Sequence, residues 1–270
     1  MPSESFIELN GRRCAYLDFR GDGPVLLALH GHFGRSRIFA PMGAELAGRY
    51  RVIALDQRAH GLSDSGGDLT PAAYVADVAA FLRALDLGPV AVLGHSMGGA
   101  VAYHLAASHP DLVSALIVVD MTVLNTEPET RPVLDVSRWP RRYASRERLE
   151  QHLIAHVPNV SYFLDSATQF DDGWGFLFDL TDMMTSQKAL IGDFTSVWNS
   201  SHQPALLIQG GESFILMRPT ADRMVESRPE TELVVFPGCG HWLYAEAPER
   251  FGAEIRRFLD SLRGTCQGAQ

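Results

Sequence analysis

The stretch Pro89-Val-Ala-Val-Leu-Gly-His-Ser-Met-Gly-Gly99 decides how the rest of the chain is read. Val90 to Leu93 is a short apolar run of the kind that forms a buried strand. Gly94-His95-Ser96-Met97-Gly98 then fits G-x-S-x-G, and from Gly99 the pattern turns helical through Ala100, Val101, Leu105 and Ala106 until Pro110. Strand, tight turn and helix are the setting in which this pattern presents a serine on a strained corner. A side chain at Gly94 or Gly98 would collide with the neighbouring strand or helix. The Ser96 hydroxyl would stand exposed at the strand's C-terminal end, and the Met97 N–H, at a helix N-terminus, would be free to donate to an anion.

Outward from this corner, apolar strands alternate with helices. Residues 5–9 and 12–19 read as a hairpin about Asn10-Gly11. Val25–Leu29, Arg51–Leu55, Ser114–Val119, Ala205–Gly210 and Glu232–Phe236 read as further strands. Helices are expected over 36–48, 70–87 (Thr70 as N-cap, Pro71 at the first position), 218–227 and 247–262. Strands apolar throughout and separated by helices imply a mostly parallel sheet covered on both faces, with reactive groups at the strands' C-terminal ends. Residues 121–200 break the alternation. They are rich in aromatics and carry prolines near their start, and they read as a mostly helical insertion, with helices from Arg141 to His156 and from Ser186 to Trp198. The expected division is a core of 1–121 with 201–270, and an inserted cap of 122–200.

Composition narrows the class. The 270 residues are 46% hydrophobic, enough for a substantial core, and the net charge of −9 without charge blocks argues against nucleic acid as a partner. Three widely spaced cysteines, Cys14, Cys239 and Cys266, argue against a disulfide framework. The first residues carry no secretory signal pattern, and no apolar run approaches the ~20 residues that span a bilayer. The expectation is a soluble cytoplasmic protein; a homodimer is compatible with it.

Four stretches together resemble the α/β-hydrolase family: Leu29-His30-Gly31-His32-Phe33-Gly34, Asp56 to Asp64, the corner at Ser96, and Gly238-Cys239-Gly240-His241-Trp242. Their order and spacing are family-like over nearly the whole chain. The resemblance implies an α/β-hydrolase fold with an eight-stranded, mostly parallel sheet. It places the catalytic base at His241 and the second oxyanion N–H just after His30-Gly31, at His32, with Phe33 the adjacent alternative. A serine hydroxyl is a poor nucleophile without such a base. Two departures stand out. Ala59 replaces a common glycine, and Ser213 occupies the usual position of the acid that orients the histidine. A neutral serine cannot supply that charge, which leaves Asp120, at the end of the preceding strand, with Glu212 as the alternative and a dyad without an acid as the third possibility. Asp56, Arg58 and His60 read as structural. His30 and His32 lack the carboxylates of a metal site, so neither metal nor cofactor is expected.

Ser96, His241 and Asp120 then describe a serine hydrolase acting on an apolar, small-to-medium ester or lactone. Trp139, Phe163, Trp174 and Trp198 are the cap aromatics expected to face the substrate. Two alternatives stay open: cofactor-independent oxygenation or C–C bond hydrolysis on the same fold, and a slow-turnover ligand receptor or regulatory protein.

Overall fold

The computed structural model describes residues 3–125 and 133–267, with side chains to residue 263. Pro128 and Pro132, at the opening of the expected insertion, and the Cys266 side chain lie outside the described residues.

The chain opens with the predicted hairpin, β1 (Ser3–Leu9) against β2 (Arg12–Asp18). Asn10 (φ 53°) and Gly11 (φ 74°) both take the left-handed conformation that a two-residue hairpin turn needs. β3 (Val25–Leu29) follows. The helix expected at 36–48 is a 3₁₀ turn, Ser36–Phe39, running into α1 (Ala40–Leu46). Then come β4 (Arg51–Leu55), α2 (Pro71–Ala84), β5 (Val90–His95), α3 (Met97–Ser108) and β6 (Val113–Val119). Thr70 caps α2 through its side chain, which accepts the Ala73 N–H.

Between β6 and the next core strand the chain leaves the sheet. β7 (Leu124–Asn125) pairs only with β10 (Gly192–Asp193), and β8 (Ala167–Phe170) forms a hairpin with β9 (Gly173–Phe176). Among the described residues four helices accompany them: α4 (Arg146–His156), α5 (Val160–Leu164), α6 (Leu180–Ala189) and α7 (Thr195–Asn199). Two expectations change here. The helix read from Arg141 starts at Arg146, because Ser145 caps it and Tyr143 bridges to Trp174 as extended backbone. The helix read over 186–198 is two helices, because β10 interrupts it to pair with β7.

The sheet resumes with β11 (Ala205–Gly210), α8 (Arg218–Glu226) and β12 (Thr231–Phe236), and the chain ends in α9 (Leu243–Glu246) and α10 (Pro248–Gln267). The eight core strands lie in the order β1-β2-β4-β3-β5-β6-β11-β12. Pairing from β4 to β12 is parallel; only the β1–β2 hairpin and its junction with β4 are antiparallel. Every residue of β5 is buried. Successive strand residues point to opposite faces, so both sides of the sheet centre are covered. This is the α/β-hydrolase architecture implied by the sequence resemblance.

Candidate active site

Three C-terminal strand ends and one loop meet at the site. At the end of β5, Ser96 has φ 53° and ψ −124°, a conformation that only a rigid surround maintains. The surround is close-packed backbone: a Cβ on Gly94 would collide with the Gly98 carbonyl, and one on Gly98 with the Leu29 carbonyl. The corner therefore needs both glycines, as the motif reading requires. The Ser96 hydroxyl forms no hydrogen bond to another described residue and opens on a cavity. Such bonds often tighten only when substrate arrives. At the start of α3, Gly99 and Ala100 donate to the Ser96 carbonyl, and among the described residues no acceptor takes the Met97 N–H.

Asp120 ends β6 and is fully buried. One carboxylate oxygen accepts from His241 Nδ1 at 2.6 Å and from the Ser213 hydroxyl at 2.5 Å; the other accepts the Gly210 N–H at 3.1 Å. Ser213, the residue at the family's usual acid position, thus hydrogen-bonds the acid that faces the histidine. Glu212 is exposed and does not reach His241; its backbone N–H is held by the Cys239 carbonyl at 2.8 Å. His241 is buried, with Nδ1 on Asp120 and its ring between Phe214 and Trp242.

His95 is a contributor whose role the sequence left unread. Its ring centroid packs 4.6 Å from that of His241, and its Nε2 donates to the His241 carbonyl at 2.9 Å. Complete burial holds it well below the usual histidine pKa, so it is neutral. The residue preceding the serine therefore braces the loop that carries the histidine.

The loop after β3 lies directly over Ser96: a Cβ on Gly31 would sit 2.9 Å from the serine Cβ. Gly34 N–H donates to the Gly31 carbonyl at 3.2 Å, and His30 Nδ1 donates to the same oxygen at 2.8 Å. Phe33 has φ 68° whereas His32 has no positive φ, which makes Gly31–Gly34 a type II turn. The N–H groups of His32 and Phe33 have no acceptor among the described residues. The His32 ring bonds to Ser186 Oγ at 2.9 Å, and Tyr74 bonds to the same hydroxyl.

Asp56, Arg58 and His60 are structural, as read. Asp56 accepts the N–H groups of Ser36 (2.6 Å) and Leu62 (2.9 Å), Arg58 makes a two-point pair with Asp77 at 2.7 Å, and His60 Nδ1 donates to the Arg58 carbonyl. Ala59 has φ 63°, which explains why glycine is common there. His30 has both ring nitrogens engaged, the second accepting the Gln57 N–H. Among the described residues no group of three His, Cys, Asp or Glu side chains is placed to hold a metal.

The cavity has two lobes that share His32, Ser96 and Val133. One is lined by Phe33, Leu134, Tyr162, Phe163, Phe214, His241 and Trp242. The other is lined by Met97, Met121, Asn125, Gln187, Leu190 and Ile215. Of the four aromatics expected at the substrate, the structure brings only Phe163 to these walls. Trp139 packs among His152, His156, Phe163 and Phe176 inside the inserted segment. Trp174 is strand β9's partner to Tyr143, and Trp198 is fully buried with its N–H on the Met224 carbonyl. Tyr162, Phe214 and Trp242 line the site instead; the last two flank Ser213 and His241 in sequence, a signal that was available.

A family model for the alpha/beta hydrolase fold matches residues 24–248. The chain is 28% identical over 252 residues to 2-(acetamidomethylene)succinate hydrolase of Mesorhizobium japonicum, covering 90% of both chains. It is 29% identical over 255 residues to the sn-1-specific diacylglycerol lipase ABHD11 of Danio rerio, covering 90% of this chain and 80% of that one. The crystal structure of an E-2-(acetamidomethylene)succinate hydrolase is similar with a TM-score of 0.83 at 23% identity, covering 96% of this chain and all of that one.

Proposed function

The chain belongs to the alpha/beta hydrolase family, and from that premise we propose that it cleaves a carboxylic ester or lactone of a small-to-medium apolar substrate through an acyl-enzyme on Ser96. The observation that carries this reading is the buried Asp120–His241 pair at 2.6 Å, of which His241 shares one apolar cavity with a serine on a strained corner. His241 Nε2 takes the Ser96 proton as Oγ adds to the substrate carbonyl carbon. The resulting oxyanion is received by the N–H groups of Met97 and His32, with Phe33 N–H the neighbouring alternative. The intermediate collapses as the imidazolium returns its proton to the departing alkoxide. Water then adds to the acyl carbon with His241 again taking the proton, and the bond to Ser96 Oγ breaks as the imidazolium returns that proton to the serine and the carboxylic acid leaves. Asp120 holds Nδ1 protonated and stabilises the imidazolium; Ser213 and the Gly210 N–H hold Asp120.

The lobe that contains His241 receives the leaving group, because that group must collect its proton there. The lobe beside Met97 and Met121 receives the acyl group. Residues 122–200 act as the cap over both. The relative from Danio rerio bears the name of a lipase, an ester hydrolase, which favours ester chemistry; the one from Mesorhizobium japonicum bears the name of a hydrolase of a succinate derivative.

Rapid mixing with a panel of nitrophenyl esters and aryl lactones tests the reading. It expects a burst of released phenol stoichiometric with enzyme, absent in Ser96→Ala. Turnover that survives in Ser96→Ala contradicts it.

A further inference from the structure

The turn over Ser96 is held in an unfavourable conformation. Type II turns place their third residue in the left-handed region, where glycine is at ease and a phenylalanine is not. Phe33 sits there at φ 68°. A flip of the His32–Phe33 peptide would convert the turn to type I, return Phe33 to a negative φ, and swing the His32 carbonyl and the Phe33 N–H to opposite sides. One side chain opposes this. The Tyr162 hydroxyl, carried by α5 of the inserted segment, donates to the His32 carbonyl at 2.8 Å. Tyr162 is itself buried and lines the Ser96 cavity, with ring contacts to Phe163, His95 and Trp242. Gly34 makes room for it, since a Cβ there would collide with the hydroxyl. The peptide on the other side of His32 is pinned through the Gly31 carbonyl by His30 and Gly34. Among the described residues, the His32–Phe33 peptide is the one backbone unit of this turn whose carbonyl is hydrogen-bonded from the insertion.

We propose that Tyr162 is a positioning residue: its hydrogen bond locks the His32–Phe33 peptide and so aims the Phe33 N–H, the alternative oxyanion donor, which gives the insertion control over that half of the oxyanion site. This rests on the reading of Ser96 as nucleophile and of the Phe33 N–H as a donor to its oxyanion.

The test is a double-mutant cycle between Tyr162→Phe and Phe33→Gly, with Phe33→Asn as a second background because asparagine also tolerates the left-handed region. Three readouts are compared: kcat on a nitrophenyl ester, the Ki of an alkyl boronic acid whose tetrahedral adduct on Ser96 places an oxygen where the oxyanion forms, and the Ki of the product acid. In the Phe33 background, Tyr162→Phe is expected to lower kcat and boronic acid affinity about tenfold, the loss expected of one buried hydrogen bond. Product acid affinity stays within about twofold, since the trigonal product makes little use of the oxyanion site. In the Phe33→Gly or Phe33→Asn background the same tyrosine change is expected to cost less than about threefold, because the turn no longer stores strain. An equal loss in all backgrounds, or none in the first, overturns the role of Tyr162. A wild-type enzyme that binds no boronic acid, or a Ser96→Ala variant that still turns over, overturns the nucleophile reading instead.

Discussion

Replacing Asp120 by asparagine keeps the left-handed backbone, φ 49°, that this strand end requires, because asparagine tolerates it. It removes the charge that faces His241 Nδ1. Asp120→Asn is therefore expected to lower kcat by ~10³–10⁴ with the fold intact, while Glu212→Gln stays within about twofold of wild type. Steady-state kinetics on one ester, with circular dichroism as the control for folding, check both. The sequence offered Asp120 and Glu212 as alternatives because their neighbours could not be seen. What separates them is lateral: β6 and β11 are parallel neighbours, so the end of one lies beside the loop of the other, 93 positions away in the chain. That same adjacency puts the Ser213 hydroxyl on the Asp120 carboxylate, a polar contact in place of the usual acid. His95 and Tyr162 escaped the sequence reading for a similar reason. Their hydrogen bonds go to backbone carbonyls of distant loops, and backbone acceptors leave no trace in residue types.

The element on which the site depends is the β5–α3 corner. Leu29 O stands where a Cβ on residue 98 would go, and backbone cannot yield as a flexible side chain can. Gly98→Ala is expected to destabilise the fold by about 3 kcal/mol, the scale of a forced overpacking, and to lower kcat beyond what the lost folded fraction explains. Urea unfolding and active-site titration separate the two effects. At this scale the core was legible: continuous apolar runs bounded by Gly, Pro and Asn predicted the strands to within a residue or two, and the Asn10-Gly11 turn predicted its hairpin. The inserted segment was not. Its aromatics read as a helical lid, but Ala167–Phe170 and Gly173–Phe176 form a hairpin around Asp171-Asp172, and Trp198 is buried against Tyr103 and Arg228 rather than facing the cavity. Large apolar residues in a short segment serve core and pocket alike, and periodicity does not separate the two.

For the whole molecule, buried histidines contribute to the loss of stability in acid. His30 and His60 are fully buried and neutral, held down to about 3 mainly by desolvation; His32 and His95 are also held well below the ordinary value. In the unfolded chain each titrates near ~6.5. As pH falls below that, the unfolded state binds protons that the folded state refuses, so stability is lost between about pH 6.5 and 3, at about 1.4 kcal/mol per pH unit per histidine. His60→Gln is expected to reduce the slope of unfolding free energy between about pH 6 and 4.5 by about that amount relative to wild type. An unchanged slope would mean that His60 takes up a proton while folded. Among the described residues the His60 Nε2 atom has no hydrogen-bond partner, with the His30 ring 5.0 Å away, and the attraction of the Asp56 carboxylate does not outweigh the burial.

One measurement reaches the central claim most directly: reaction with a fluorophosphonate, followed by digestion and mass mapping of the adduct, in wild type and in Ser96→Ala. A single adduct on Ser96, formed about a thousandfold or more slowly in His241→Ala, is the predicted result, because an unassisted serine is a poor nucleophile. An adduct on another residue, or labelling of Ser96 at an undiminished rate without His241, contradicts it.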